Sequence, residues 1–187
     1  MRFSLAVFDF DGTLLDSDEA LVAPFLALGV PRDEVRFGPL AAEECARLGI
    51  PLDAYLANYD VGRAQPYPGV EEMLGRLRRW AVASNKVRAA GTAELRRLGW
   101  RPEVAMFADD FAGPKQLAPL LARLGAPVPG EVVFVGDTDH DRECARAAGV
   151  GFALAAWNPR ATAEDGDLVL GTPGDLLALL DGAGATR

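Results

Sequence analysis

A chain of 187 residues that is half hydrophobic can bury one good core, alone or with a small inserted module, and needs no disulfides to do so. Its 27 acidic and 19 basic side chains leave a net charge of -8, which argues against nucleic-acid or anionic-membrane binding through a basic surface. An anionic small molecule stays open, because a metal ion and a few local cations outweigh the global field.

The apolar run from Phe3 to Phe8 reads as a buried strand, stopped by Asp9 and Asp11. It is too short and too acidic at its end for a signal peptide, and no membrane-spanning stretch follows, so a cytoplasmic protein is expected. Cys45 and Cys144 stand far apart in no metal-type spacing and read as free thiols of a reducing compartment. From Asp16 to Pro68 there is no convincing strand, only helical pieces such as Glu19 to Leu28 and Leu40 to Leu48, punctuated by Pro31, Pro39, Pro51, Pro66 and Pro68. Alternation resumes with a helix over Leu74 to Trp80 and a strand over Trp80 to Ala83. A helix from Ala89 to Leu98 is capped by Gly99 and followed by a strand from Val104 to Ala108. Pro114 to Leu124 reads as a helix, Val132 to Val135 as the clearest central strand, and Arg142 to Ala148 as a helix ended by Gly149. Phe152 to Ala156 and Leu168 to Leu170 read as the last strands, Asp175 to Leu180 as a closing helix, and Gly182 onward as a tail.

Strands bounded by helices at this spacing predict an α/β fold, a Rossmann-like doubly wound parallel sheet covered on both faces. Residues 1–15 and 68–187 form its core, and 16–67 a small helical cap inserted after the first strand. Ligands of such sheets sit at the carboxyl ends of the strands, where Asp9, Asp11, Ser84, Asn85 and Asp137 all fall.

In Asp9-Phe10-Asp11-Gly12-Thr13, a strand-end carboxylate can attack phosphorus once a cation cancels repulsion from the phosphate. The carboxylate two positions on points back into the same space and can protonate the leaving oxygen. Gly12 permits a sharp exit and the Thr13 hydroxyl can steady the loop. A second acidic loop, Gly136-Asp137-Thr138-Asp139-His140-Asp141, follows the apolar strand Val132 to Val135. Hard oxygen ligands around a small divalent cation suit Mg2+, with Asp9 and Asp137 as the direct side-chain ligands. Without a cation, carboxylates packed this closely would stay partly protonated.

These motifs resemble, in order, those of the haloacid dehalogenase superfamily in its phosphatase branch, over the chain outside the inserted segment. The resemblance implies Asp9 as nucleophile and Asp11 as general acid and base, with the Asp11 carbonyl also on the metal. It implies that the Ser84 hydroxyl and the Asn85 backbone amide hold the phosphoryl group, and that Lys115 neutralises nucleophile and phosphate. Asp137 and Asp141 match the paired acids of the last motif, Asp141 as an anchor behind the metal rather than a direct ligand. Family dehalogenases lack the second Asp and phosphonate-cleaving relatives replace it with a small residue, so Asp11 disfavours both. The opening Asp-Gly-Thr-Leu-Leu-Asp-Ser and the run Ser84-Asn85-Lys86 are similar to the phosphoglycolate phosphatase-like group. The inserted segment is shorter than that group's usual cap, and Gln116 stands where a proline commonly follows the lysine.

The implied activity is Mg2+-dependent hydrolysis of a small phosphorylated metabolite, a phosphate monoester, through an aspartyl-phosphate. A phosphomutase using the same Asp9, and a catalytically silent module of this fold, are the competing readings. Substrate identity and oligomeric state do not follow. Lys86 and Arg88 are read as surface or loop-bracing residues, His140 as a loop or cap-facing residue, and Trp80, Trp100 and Trp157 as packing in or near the core. Arg63, Tyr55, Tyr59 and Tyr67 fit either leaving-group selection or ordinary packing.

Overall fold

The computed structural model describes residues 3–37 and 40–180, so Pro39 and the tail expected from Gly182 lie outside the described residues. The chain opens with β1 (Leu5–Phe8) and the two-residue β2 (Leu15–Asp16), then α1 (Asp18–Ala27), α2 (Ala41–Leu48) and α3 (Leu52–Ala57). It returns through β3 (Gln65–Pro66), which pairs antiparallel with β2, to α4 (Val70–Arg76), β4 (Trp80–Ala83), α5 (Arg88–Leu98) and β5 (Val104–Met106). The remaining elements are α6 (Leu117–Arg123), β6 (Val132–Gly136), α7 (Asp139–Ala148), β7 (Gly151–Ala155) and β8 (Leu168–Leu170), closed by a 3-10 turn over Pro173–Ala178.

Six strands form one parallel sheet in the order β5-β4-β1-β6-β7-β8. All four positions of β1 and all five of β6 are buried, as a sheet covered on both faces requires. Successive side chains point to opposite faces of a strand. Ala6 and Phe8 accordingly join one apolar cluster with Met73 and Leu95 of α4 and α5, while Leu5 and Val7 join another with Leu120 and Cys144 of α6 and α7. From β1 the chain winds outward first through β4 and β5, then the other way through β6, β7 and β8. The reversal leaves a crevice at the carboxyl ends of β1 and β6. Residues from 18 to 59 gather around a third, smaller cluster of Phe25, Val30, Cys45 and Tyr55.

The sheet is the one expected, and element boundaries depart from expectation for local reasons. α4 starts at Val70, because Gly69 (φ 88°) opens the first turn with Glu71 and Glu72, and it ends before Leu77, which turns extended to feed β4. α6 begins at Leu117 rather than Pro114: Gln116 is extended, and the Asn85 side chain accepts the Lys115 backbone N–H at 2.7 Å, holding that residue outside the helix. α7 begins at Asp139, since the Thr138 hydroxyl accepts the Asp141 N–H and the Asp141 carboxylate accepts the Thr138 N–H, a reciprocal N-cap. Asp139 and His140 therefore lie in the first helical turn, not in a loop. The closing segment is a 3-10 turn rather than a helix over Asp175 to Leu180. The segment read as free of strands holds one half of the β2–β3 ribbon, and α3 adds a helix there.

Candidate active site

Asp9 and Asp11 flank Phe10, whose fully buried ring packs edge-on against Phe107 and Trp100. Alternation along the chain then sends both carboxylates to the other side, into the crevice. The Asp9 N–H donates to Val135 O at 2.9 Å, extending the β1–β6 pairing by one bond and fixing the start of its side chain. Gly12 follows in the left-handed region at φ 79°, and a Cβ there would lie 2.4 Å from Asp137 Oδ2. Two reasons, backbone and space, thus require glycine. The Thr13 hydroxyl donates to Asp137 Oδ1 at 2.9 Å, so it joins the two acidic loops rather than bracing only its own.

Lys115 is 3 % exposed and bridges two carboxylates, with Nζ 2.7 Å from Asp9 Oδ1 and 2.6 Å from Asp141 Oδ1. Its backbone is pinned at both ends: Asn85 takes the N–H, and the Cys144 thiol donates to the carbonyl at 3.1 Å. Asp141 spends its other oxygen on the N–H groups of Asp137 and Thr138 and on the Thr138 hydroxyl, at 2.6 to 3.2 Å. Asp137 is held between the Thr13 hydroxyl and the amide of Asn158, which donates to Asp137 Oδ2 at 2.8 Å and to Gly12 O at 3.0 Å.

Three buried carboxylates, Asp9, Asp137 and Asp141, offer oxygens within 4.8 Å of one another. Against one ammonium they carry an excess of two negative charges when ionised. Burial, with the nearby Asp141 and Asp137, pushes the Asp9 carboxyl up to about 8 against the opposing pull of Lys115. Burial and Asp141 push Asp137 up to about 6. Burial works against the Lys115 charge too, but Asp141 and Asp9 outweigh it and hold the ammonium well above the usual lysine range. A divalent cation would balance this excess, and an all-oxygen donor set matches the preference of Mg2+.

Ser84, 2 % exposed at the end of β4, and Asn85 line the same cavity. Lys86 lies there as well, and it is not a surface residue. Its side chain is 2 % exposed, with Nζ 2.6 Å from Asp11 Oδ1 and 3.0 Å from Glu94 Oε2. Two carboxylates and the rings of Phe10 and Tyr59 compensate its desolvation, at 5.8 and 5.0 Å from the ammonium. Nothing local in the sequence marks Glu94 on α5 or Tyr59 beyond α3 as its partners. Arg88 does brace a loop, pairing with Asp110 at 2.8 Å.

The cavity measures about 540 Å³ and reaches from Asp9, Asp11 and Lys115 up to the inserted segment. Tyr55 and Tyr59 line it beside Phe25, Val35 and Phe37, whereas Arg63 points to solvent near Asp60 and Tyr67 packs on the core cluster. His140 also lines it, with Nε2 3.5 Å from the Cys144 sulfur, and burial together with Lys115 lowers its proton affinity. Arg160 lines the mouth, stacked on Phe37 and paired with Asp18 at 2.5 Å. Both cysteines are free and buried, as expected. Trp80 and Trp100 pack in the core, and Trp157 adds an indole N–H to Thr13 O at 2.9 Å.

The structure therefore brings Asp9, Asp11, Ser84, Asn85, Lys115, Asp137 and Asp141 to one crevice. The sequence reading gives Lys86 a surface or loop-bracing role, which its burial corrects, and singles out neither Glu94 nor Asn158. The position of Asn158 just past the end of β7, where the sheet rule places ligand groups, was the one available signal for it.

A family model described as haloacid dehalogenase-like hydrolase matches residues 6–155. A phosphoglycolate phosphatase of Xanthomonas campestris is 31% identical over 88% of this chain and 89% of its own length. An N-acetylmuramic acid 6-phosphate phosphatase of Pseudomonas aeruginosa is 28% identical over 98% and 97%. A crystal structure of a hydrolase of this superfamily from Geobacter sulfurreducens, 24% identical, superposes with a TM-score of 0.77 over 96% of this chain and all of that one, a likeness of fold.

Proposed function

The chain belongs to the haloacid dehalogenase-like hydrolase family and is a phosphatase, and on that premise we propose that it hydrolyses a small phosphorylated metabolite through an aspartyl-phosphate on Asp9, with Mg2+ bound. The observation that carries the proposal is the Asp9–Lys115–Asp141 bridge beside Asp137, at the floor of a cavity open to the inserted segment. Asp9 and Asp137, with the Asp11 carbonyl, are the groups that would hold the metal, and Asp141 would anchor Asp137 and Lys115 from behind. Bound there, Mg2+ supplies electrostatic neutralisation of the phosphate and of the excess carboxylate charge.

Asp9 then attacks phosphorus in line, the bond to the leaving oxygen breaks, and Asp11 delivers its proton to that oxygen. The Ser84 hydroxyl, the Asn85 backbone amide and Lys115 hold the phosphoryl oxygens as charge builds on them, the main lever in such transfers. Water attacks phosphorus next, Asp11 takes its proton, and the Asp9–phosphate bond breaks to return the free carboxylate. Residues 16–67 act as a cap whose aromatic wall contacts the leaving group, and the cavity volume accommodates alcohols much larger than a two-carbon acid. A cytoplasmic location suits two free thiols; among the described residues no helix is long and apolar enough to cross a membrane.

The deciding experiment is phosphate release from a panel of esters by purified protein, with Mg2+ and with chelator, in wild type and Asp9→Asn. Metal-dependent release lost in Asp9→Asn is expected. Release that persists in a folded Asp9→Asn preparation refutes the nucleophile assignment.

A further inference from the structure

We propose that Lys86 is a positioning residue for the general acid Asp11, and that Tyr59, reaching across from the inserted segment to Glu94, makes this positioning depend on the cap being seated. The inference rests on the phosphatase reading above and adds residues that reading does not use.

Asp11 has to present one oxygen to the leaving group and later to water. Its side chain is 18% exposed, so part of it faces solvent and its orientation depends on the partner that holds it. The ammonium of Lys86, 2.6 Å from Oδ1, sets that orientation and leaves Oδ2 for proton transfer. Lys86 cannot itself turn away: its side chain is 2% exposed, and its second carboxylate partner, Glu94, has no exposure at all. A buried ammonium has given up its hydration, so it stays where its two anions are. Lys86 is also well placed to register the phosphate site, since its backbone N–H donates to the Ser84 hydroxyl at 3.2 Å.

Glu94 is the point where the cap enters. The Tyr59 hydroxyl donates to Glu94 Oε1 at 2.6 Å, and the Tyr59 ring lies 5.0 Å from the Lys86 nitrogen. Tyr59 belongs to the inserted segment, whereas Glu94 lies on α5 of the core, so this contact spans the two. With Tyr59 in place the lysine is shielded and its grip on Asp11 is not shared with water. With Tyr59 withdrawn, water reaches both Lys86 and Glu94, and the hold on Asp11 loosens. Proton delivery is thereby tied to a covered active site, where a leaving group is already enclosed.

The test reads leaving-group dependence, which a purely structural role would not move. Values of kcat/KM, which report steps up to formation of the aspartyl-phosphate, are measured for ring-substituted phenyl phosphates of similar size, from nitro to methyl. Acidic phenols leave without a proton and basic ones need it. Lys86→Met is expected to lose about 3-fold on the nitro ester and about 30-fold on the methyl ester, a share of the ~10²-fold or more that a general acid supplies. Tyr59→Phe, which keeps the ring and removes the hydroxyl, should show the same rising pattern with a smaller amplitude. It decides the question by itself where Lys86→Met does not fold, as judged by its thermal melt. A loss uniform along the series, or none, overturns the inference. If the wild type releases no phosphate from any ester, the phosphatase reading falls first and takes this inference with it.

Discussion

The two buried lysines of the site, Lys115 and Lys86, are built alike and set in different company. Each bridges two carboxylates at 3.0 Å or less and lies within 6 Å of an aromatic ring, Phe134 for Lys115 and Phe10 and Tyr59 for Lys86. The partners of Lys115 all come from the sheet core, from the end of β1 and the first turn of α7. Those of Lys86 come from three places: the loop after β1, the middle of α5, and Tyr59 of the inserted segment by way of Glu94. Charge differs as well, because Lys115 faces three nearby acids and Lys86 two. One lysine is thus a fixed part of a metal-ready floor. The other is held jointly by the core and the inserted segment, through Glu94 and Tyr59, so on the proposal above its setting depends on that segment.

The largest expected effect is at the fixed lysine. Lys115→Met should lower kcat/KM on the order of 10³-fold and equally for every phenyl ester, since charge neutralisation serves all leaving groups alike. It should also destabilise the metal-free protein by about 3 kcal/mol, because two buried carboxylates lose their cation. A loss that grew toward basic leaving groups would erase the distinction between the lysines. Gly12→Ala comes next, with an expected cost of about 2 kcal/mol from left-handed backbone and the collision with Asp137, read in a denaturant melt. Equal stability to wild type would mean that the Asp137 carboxylate is not packed against this loop.

Asn158→Ala sharpens the comparison from the metal side. It frees one oxygen of Asp137, and Mg2+ titrations of activity should show affinity weaker by about 10-fold with little change in leaving-group dependence. Unchanged Mg2+ affinity would argue that Asp137 is oriented by Thr13 alone. The smallest effect lies away from both lysines, at the Arg142–Asp167 pair. The Arg142 guanidinium holds the Asp167 carboxyl below its usual range through bonds of 3.0 and 2.9 Å. A depressed carboxylate stabilises the fold above its unfolded pKa of about 4, and that contribution disappears as pH falls through the folded value. Asp167→Asn should therefore cost about 1 kcal/mol at pH 7 and flatten the acid side of the stability curve, with phosphatase kinetics unaltered.

Much of this could be read along the chain. The apolar strands ending at Asp9, Ser84 and Asp137 carry enough local pattern to place the sheet and its functional edge, because strand burial and loop chemistry are written in consecutive residues. The helix starts were less legible. Lys115 sits outside α6 because Asn85, thirty residues earlier, holds its N–H, and no propensity near Pro114 announces that bond. The reading of Lys86 as a surface or loop-bracing residue fails for the same kind of reason, since a lysine after a strand end is ordinarily solvated and its burial is offset by Asp11, Glu94, Phe10 and Tyr59, which no local pattern announces.

What the sequence determined by itself, then, is the order of strands and motifs and the residue types at the strand ends, since these depend on short-range periodicity and on spacing within single loops. The tertiary structure alone decided which charges meet. Asp9, Lys115 and Asp141 come together only because β1 and β6 are neighbours where the winding of the sheet reverses, and Lys86 meets Asp11, 75 residues earlier in the chain, because β4 pairs with β1. Electrostatics acts through distance in space, and for these groups that distance is set by the fold rather than by separation along the chain.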